Sequence, residues 1–154
     1  MLYSRILKSS LLVTYLTAQT GNWIELTNAP VVTRFNDIQF LNENQGWVVN
    51  GWGQIYYTPD GGNTWDLQFE QSQTHFRSVG FFDELNGWAG NVGYGEFGAT
   101  DTMNLYETSD GGVSWVPFDN FTGPEPKGIC GLQVINDTVT VSYTHLTLPT
   151  NREV

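Results

Sequence analysis

The sequence predicts an all-β chain: an incomplete β-propeller of two full four-stranded blades plus the start of a third. Three observations lead there. A segment of the form Asp-Gly-Gly-X-Thr/Ser-Trp occurs twice, as Asp60–Trp65 and as Asp110–Trp115. A spacing of 41 residues relates Ile38 to Val79, Phe40 to Phe81 and Gly46 to Gly87. After the first 18 residues no stretch repeats its apolar residues with a helical period. A repeat of about 40 residues with four short strands per unit is the signature of a propeller blade.

The elements follow in order. Met1 to Ala18 reads as a secretory signal: Arg5 and Lys8 supply the positive start, Leu11, Leu12, Val13, Tyr15 and Leu16 the apolar stretch, and Ala18 a small residue. That run is too short to span a bilayer. Gly21-Asn22-Trp23 repeats the tail of the turn segment, and Asn22–Leu26 reads as an outer strand. In the first unit, 35–69, strands are expected at 35–40, 46–50, 54–58 and 64–69. In the second, 77–118, they are expected at 77–82, 87–91, 104–108 and 113–118. Val, Ile, Phe, Tyr and Trp fill these runs, and Gly, Asn and Asp separate them. From Trp47 to Asp60 is 13 residues but from Trp88 to Asp110 is 22, so the second unit carries nine more. A third unit begins about Gly128, with Cys130 and Leu132 at the positions of Ile38 and Phe40.

The end of the chain reads differently. Val141-Ser-Tyr-Thr-His-Leu-Thr-Leu-Pro-Thr150 matches, in one reading frame, the translation of a transposon-end adapter used in DNA sequencing. Residues 141–154 are therefore set apart as a non-native tail, and the natural protein is expected to continue beyond about Thr140.

Between Gln19 and Thr140, Arg34, Arg77 and Lys127 stand against 15 acidic side chains, a net charge of −12. Such a surface repels nucleic acid and anionic membranes. It suits a secreted or cell-surface protein with no membrane insertion once the signal is removed. Cys130 is the only cysteine, so no internal disulfide forms. No histidine pair has metal-ligand spacing, because His75 stands alone and His145 lies in the tail, and neither a cofactor nor a metal is expected.

The turn segments, with Thr58, Asp60, Gly62, Thr64, Trp65 and Thr108, Asp110, Gly112, Ser114, Trp115, resemble the Asp-box (BNR) repeat of the sialidase-like superfamily. Together with the Gly-Trp second strand they are most similar to the photosystem II assembly and stability factor propellers and their secreted bacterial relatives. The likeness covers residues 22–140. It implies a non-catalytic module that binds or scaffolds a protein or glycan partner at the cell surface. An alternative is a fragment of a sialidase-like glycoside hydrolase, whose arginine triad would have to lie in blades outside this chain. Repeats of this kind behind a signal also occur as passengers of type IX secretion, with a sorting domain further on.

The repeated residues read as architecture: Asp60 and Asp110 as turn hydrogen-bond acceptors, and Trp23, Trp47, Trp65, Trp88 and Trp115 as core between blades. No residue is read as catalytic. Candidate ligand contacts are those that break the repeat on the opposite rim: Trp52, then Tyr94, Glu96 and Phe97 of the insertion, with Arg34 and Arg77 near the mouth of the central channel. The plainer expectation is that both arginines pair with nearby acids and that the insertion is a tolerated surface loop.

Overall fold

The computed structural model describes residues 25–121, 126–135 and 138–143. The expected signal and most of the expected Asn22–Leu26 strand lie outside these residues; Glu25 and Leu26 carry no strand pairing. Ten strands follow one another: β1 (Phe35–Phe40), β2 (Gly46–Asn50), β3 (Gln54–Thr58), β4 (Asp66–Glu70), β5 (Phe76–Phe81), β6 (Gly87–Asn91), β7 (Leu105–Thr108), β8 (Val116–Pro117), β9 (Gly131–Ile135) and β10 (Thr138–Tyr143). Among the described residues the helical content is one 3-10 turn, Glu96–Gly98. Sheets β1-β2-β3-β4 and β5-β6-β7-β8 are antiparallel meanders, and β9 pairs with β10. The chain is an incomplete β-propeller of two four-stranded blades. β10 carries its pairing into the segment read as adapter, with Val141 opposite Leu132 and Tyr143 opposite Gly131.

The fourth strand of each blade starts later than the sequence predicts, at Asp66 and Val116. The turn keeps the preceding residues for itself. The Asp60 carboxylate accepts from the Thr64 amide and hydroxyl, each at 2.8 Å, and from the Thr58 hydroxyl at 3.0 Å. Asp110 accepts from the Ser114 amide at 2.9 Å, the Ser114 hydroxyl at 2.6 Å and the Thr108 hydroxyl at 2.8 Å. Donors around a carboxylate favour its charged form. The Thr64 amide leads in holding Asp60 below the ordinary carboxylate range, and the Ser114 hydroxyl leads in bringing Asp110 to about 2. The glycine pairs that follow take φ of 70° and 92° at Gly61 and Gly62, and 74° and 90° at Gly111 and Gly112, which side-chain-bearing residues resist. Each hairpin is tied to the turn between the first two strands of its blade, by Gly61 N–H to Asn44 O at 2.7 Å and Gly111 N–H to Leu85 O at 2.9 Å.

The core lies between the two blades. Trp47, Val49 and Ile55 of the first meet Phe76, Val79, Phe81, Ala89, Tyr106 and Trp115 of the second. Trp47 stacks on Phe81 with ring centroids 3.6 Å apart, and Trp115 meets Phe81 edge-on at 5.8 Å. Trp65 and Trp88 are half-buried, and Trp23 lies outside the described residues. Polar side chains stitch the inner strands. Asp37 accepts from Val79 N–H at 3.0 Å, Gln39 both accepts from Phe81 N–H and donates to its carbonyl, and Asn36 donates to Phe76 O at 2.6 Å. β5 forms its ladder only with β6, so these bonds satisfy backbone groups on its other edge.

Candidate functional site

Three connections meet on the rim opposite the Asp60 and Asp110 hairpins: the turn after β2, the link from β4 to β5, and the insertion between β6 and β7. The first is shaped by Asn50. Its carboxamide oxygen accepts from Trp52 N–H at 2.9 Å and Gln54 N–H at 3.2 Å, and this local turn turns the Trp52 indole outward, 57% exposed. Asn91 stands 41 residues on and does different work. It accepts from His75 N–H at 3.1 Å and donates to Met103 O at 2.8 Å, joining the link to the insertion.

The insertion is a loop exposed at its tip, residues 94–98, and anchored beyond it. Its anchor is the buried carboxylate of Asp101, which accepts from the Thr74 hydroxyl, from Tyr106 OH at 2.7 Å and from Met103 N–H at 2.8 Å. Thr100 and Asp101 N–H both donate to Gln73 O at 3.0 Å. Burial, and then the bond to Asp101, push the Tyr106 phenol up to about 12. At the tip, Phe97 sits in the left-handed region with φ 48°, between Gly95 and Gly98, both at 84°. That conformation is costly for a residue with a side chain. It sets the Phe97 ring 5.2 Å from the His75 ring and 5.6 Å from the Arg77 guanidinium carbon.

Arg34 and Arg77 line one open cavity of about 310 Å³ with Phe35 and Asn36. Arg34 donates from Nε to Asn36 Oδ1 at 3.2 Å. Arg77 lies over Phe97. Neither forms an ion pair among the described residues. Asn36 Nδ2 is 3.2 Å from His75 Nε2. The half-buried His75 ring is held below its ordinary pKa by desolvation first, then by Arg77 and Arg34. Burial leads in pushing the Cys130 thiol up, against the opposing charge of Arg77.

Of the six candidates, the structure brings together Arg34, Arg77 and Phe97. Trp52, Tyr94 and Glu96 are exposed on the same rim, and no hydrogen bond or ring contact joins them to the arginines among the described residues. Two contributors are absent from the six candidates, Asn36 and His75. The 41-residue register contains the signal, since it maps Arg34 onto His75 and Asn36 onto Arg77. Among the described residues no cluster of His, Cys, Asp and Glu could hold a metal, and the rim offers charge and aromatic surface for binding.

No family model matches the chain and no curated protein matches it. Nine solved chains do. One of them, YCF48 bound to D1 peptide, is similar with a TM-score of 0.51 and 24% identity, over 71% of this chain and 34% of that one. The likeness is one of fold, a β-propeller. The chain spans about a third of the length of that protein.

Proposed function

We propose that the chain is part of an exported, non-catalytic propeller of Asp-box repeats that binds a protein partner at the cell surface, and that it binds through the rim carrying Arg34 and Arg77. The observation that carries this reading is the pair of guanidiniums in one open cavity with no carboxylate partner among the described residues, although the chain has 16 acidic side chains. Cations kept free of internal acids are suited to an external carboxylate. Phe97 beside Arg77, and Trp52 and Tyr94 elsewhere on the same rim, expose 64%, 57% and 69% of their surfaces, and aromatics are enriched in binding hot spots. An acidic peptide segment supplies both the charge and the extended apolar contact. The peptide bound to YCF48 supports a peptide over a glycan as the class of ligand.

The test is fluorescence anisotropy with a labelled glutamate-rich peptide. Arg34→Ala and Arg77→Ala are each expected to weaken binding about tenfold or more, the scale of one charge-assisted contact. Thr58→Val, in the opposite hairpin, should leave it unchanged. Equal binding by all three variants and the parent would place the site elsewhere. Export is tested separately, by fractionating cells that express the chain with its own N-terminus. Retention in the cytoplasm would remove that part of the reading.

A further inference from the structure

We propose that anion binding between Arg34 and Arg77 takes up a proton at His75, coupled through the carboxamide of Asn36. The proposal rests on the rim reading above for its ligand and adds a group that reading does not use.

The hydrogen bonds fix the state of the imidazole. Asn36 Oδ1 is occupied by Arg34 Nε–H, so the amide nitrogen is the atom that faces Phe76 O at 2.6 Å and His75 Nε2 at 3.2 Å. A carboxamide nitrogen only donates. His75 Nε2 therefore accepts, and Nδ1 carries the proton. The ring has little freedom to turn away. Phe97 lies on it at 5.2 Å, and on another side it packs so closely on Gly51 that a Cβ there would come 2.7 Å from Cε1. The backbone is pinned as well, by His75 N–H to Asn91 Oδ1 and Val92 N–H to His75 O.

The charges facing the ring are both positive. Arg34 comes from the stretch before β1 and Arg77 from β5. Asn36, Asn91 and the Gly51 backbone bring no charge, and the insertion brings Phe97 with Glu96 beside it. Protonated Nε2–H would meet an amide donor and two guanidiniums, so the free site holds the imidazole neutral. A carboxylate seated between the guanidiniums cancels their field and, by drawing Arg34 Nε–H to itself, frees Asn36 Oδ1 to turn toward the ring and accept from Nε2–H. The bound site thus prefers imidazolium more than the free site does, and by linkage the anion binds more tightly as pH falls. One proton sets the limit at about tenfold in affinity per pH unit between the free and bound pKa values.

The probe is the labelled glutamate-rich peptide, titrated onto the full chain between pH 6 and 8, where its own carboxylates stay ionised. The dissociation constant is expected to fall several-fold from pH 8 to 6 for the parent, and to be flat for His75→Gln. Asn36→Ala should shift the pH midpoint of that rise upward. Independently of any ligand, the ring nitrogen shifts of His75 in the free chain should show the Nδ1–H tautomer. An Nε2–H tautomer, or the same pH profile for parent and His75→Gln, overturns the proton linkage while leaving the rim reading intact. Binding that ignores Arg34→Ala and Arg77→Ala overturns both.

Discussion

The second blade has a covered face and the first has the same face open. Val79 and Phe81 of β5 are 3% and 2% exposed beneath Trp47 and its neighbours. Ile38 and Phe40, at the equivalent positions of β1, are 56% and 40% exposed. Strand alternation explains which way they point. Asp37 and Gln39 reach toward β5, so Ile38 and Phe40 face away from it. The two turn tryptophans follow suit. Trp115 is 7% exposed against Phe81, while Trp65 is half-buried, edge-on to Phe40 at 6.5 Å. Trp65 still donates to Gly62 O at 3.1 Å, whereas the buried Trp115 Nε1 finds no acceptor among the described residues. Two repeats of the same pattern therefore hold equivalent apolar residues in opposite solvent environments. The repeat determines the strand, and the neighbouring sheet determines what that strand is worth.

The largest expected effect breaks this symmetry directly. Phe81→Ala removes a ring stacked on Trp47 and touched by Trp115, and should cost about 3–5 kcal/mol. Phe40→Ala, in the open face, should cost less than about 1 kcal/mol. Urea unfolding of both variants checks it. Equal costs would mean that Phe40 is buried in solution, covered by a neighbour.

Smaller is the difference between two tyrosines, Tyr56 and Tyr106, which stand opposite Val48 and Ala89 in their blades. Tyr106 OH donates to the Asp101 carboxylate at 2.7 Å, while Tyr56 OH donates to no acid among the described residues, although burial and then the charge of Glu70 raise its pKa too. Tyr106→Phe should cost about 1.5–3 kcal/mol, the range for a hydrogen bond to a charged group, and Tyr56→Phe close to nothing. Alkali sharpens the contrast. A phenol raised to about 12 in the folded chain lends stability that is whole below the unfolded value near 10 and is lost as pH rises toward 12. Tyr106→Phe should flatten the alkaline limb of a pH–stability curve.

What was legible in the sequence is what one repeat encodes by itself. The strands, the Asp-Gly-Gly turns and the extra residues between β6 and β7 come from local chemistry and a fixed spacing. Which apolar residues are buried was not legible, because Ile38 and Val79 carry the same signal until a neighbour covers one of them. The rim was half legible. Arg34, Arg77 and Phe97 stood out as departures from the pattern. Asn36 did not, and His75 could be placed on the rim without a role, since a carboxamide and a lone imidazole acquire meaning only when β1 and β5 come side by side. Asp101 read as one more acid of the insertion, and only the fold shows it buried beneath Thr74 and Tyr106.

The turns test the other half of the comparison: the hydrogen bonds inside each are local, although the second also meets the first blade, where Gln68 Nε2 donates to Gly111 O at 2.9 Å. Thr58 and Thr108 are both buried, and each accepts from the following glycine amide, at 2.7 Å to Gly62 and 2.9 Å to Gly112. Thr58→Val and Thr108→Val leave those amides short of an acceptor and should each cost about 1–3 kcal/mol. Matching losses in thermal melts are expected. A loss confined to Thr108 would tie the turn to the covered interface.

The smallest effect on stability is expected at Trp52, and its smallness is the point. Trp52 leaves the blade on a turn that Asn50 holds through backbone amides, so the indole is not needed to keep the turn closed. It touches neither the core between the blades nor the Asp101 anchor. Trp52→Ala should therefore shift stability by no more than about 0.5 kcal/mol, as for surface positions generally. Where an aromatic is one of the minority of contacts that carry the binding energy, truncating it costs more than about 1 kcal/mol of binding, or roughly fivefold or more in affinity. Paired melting and peptide-binding curves separate the two roles. Trp52→Ala that melts with the parent and binds the glutamate-rich peptide several-fold more weakly extends the site from the arginines across the rim. Unchanged binding confines the site to Arg34, His75, Arg77 and Phe97, and a large fall in melting temperature would mean that the indole is packed in solution and that this rim is structural.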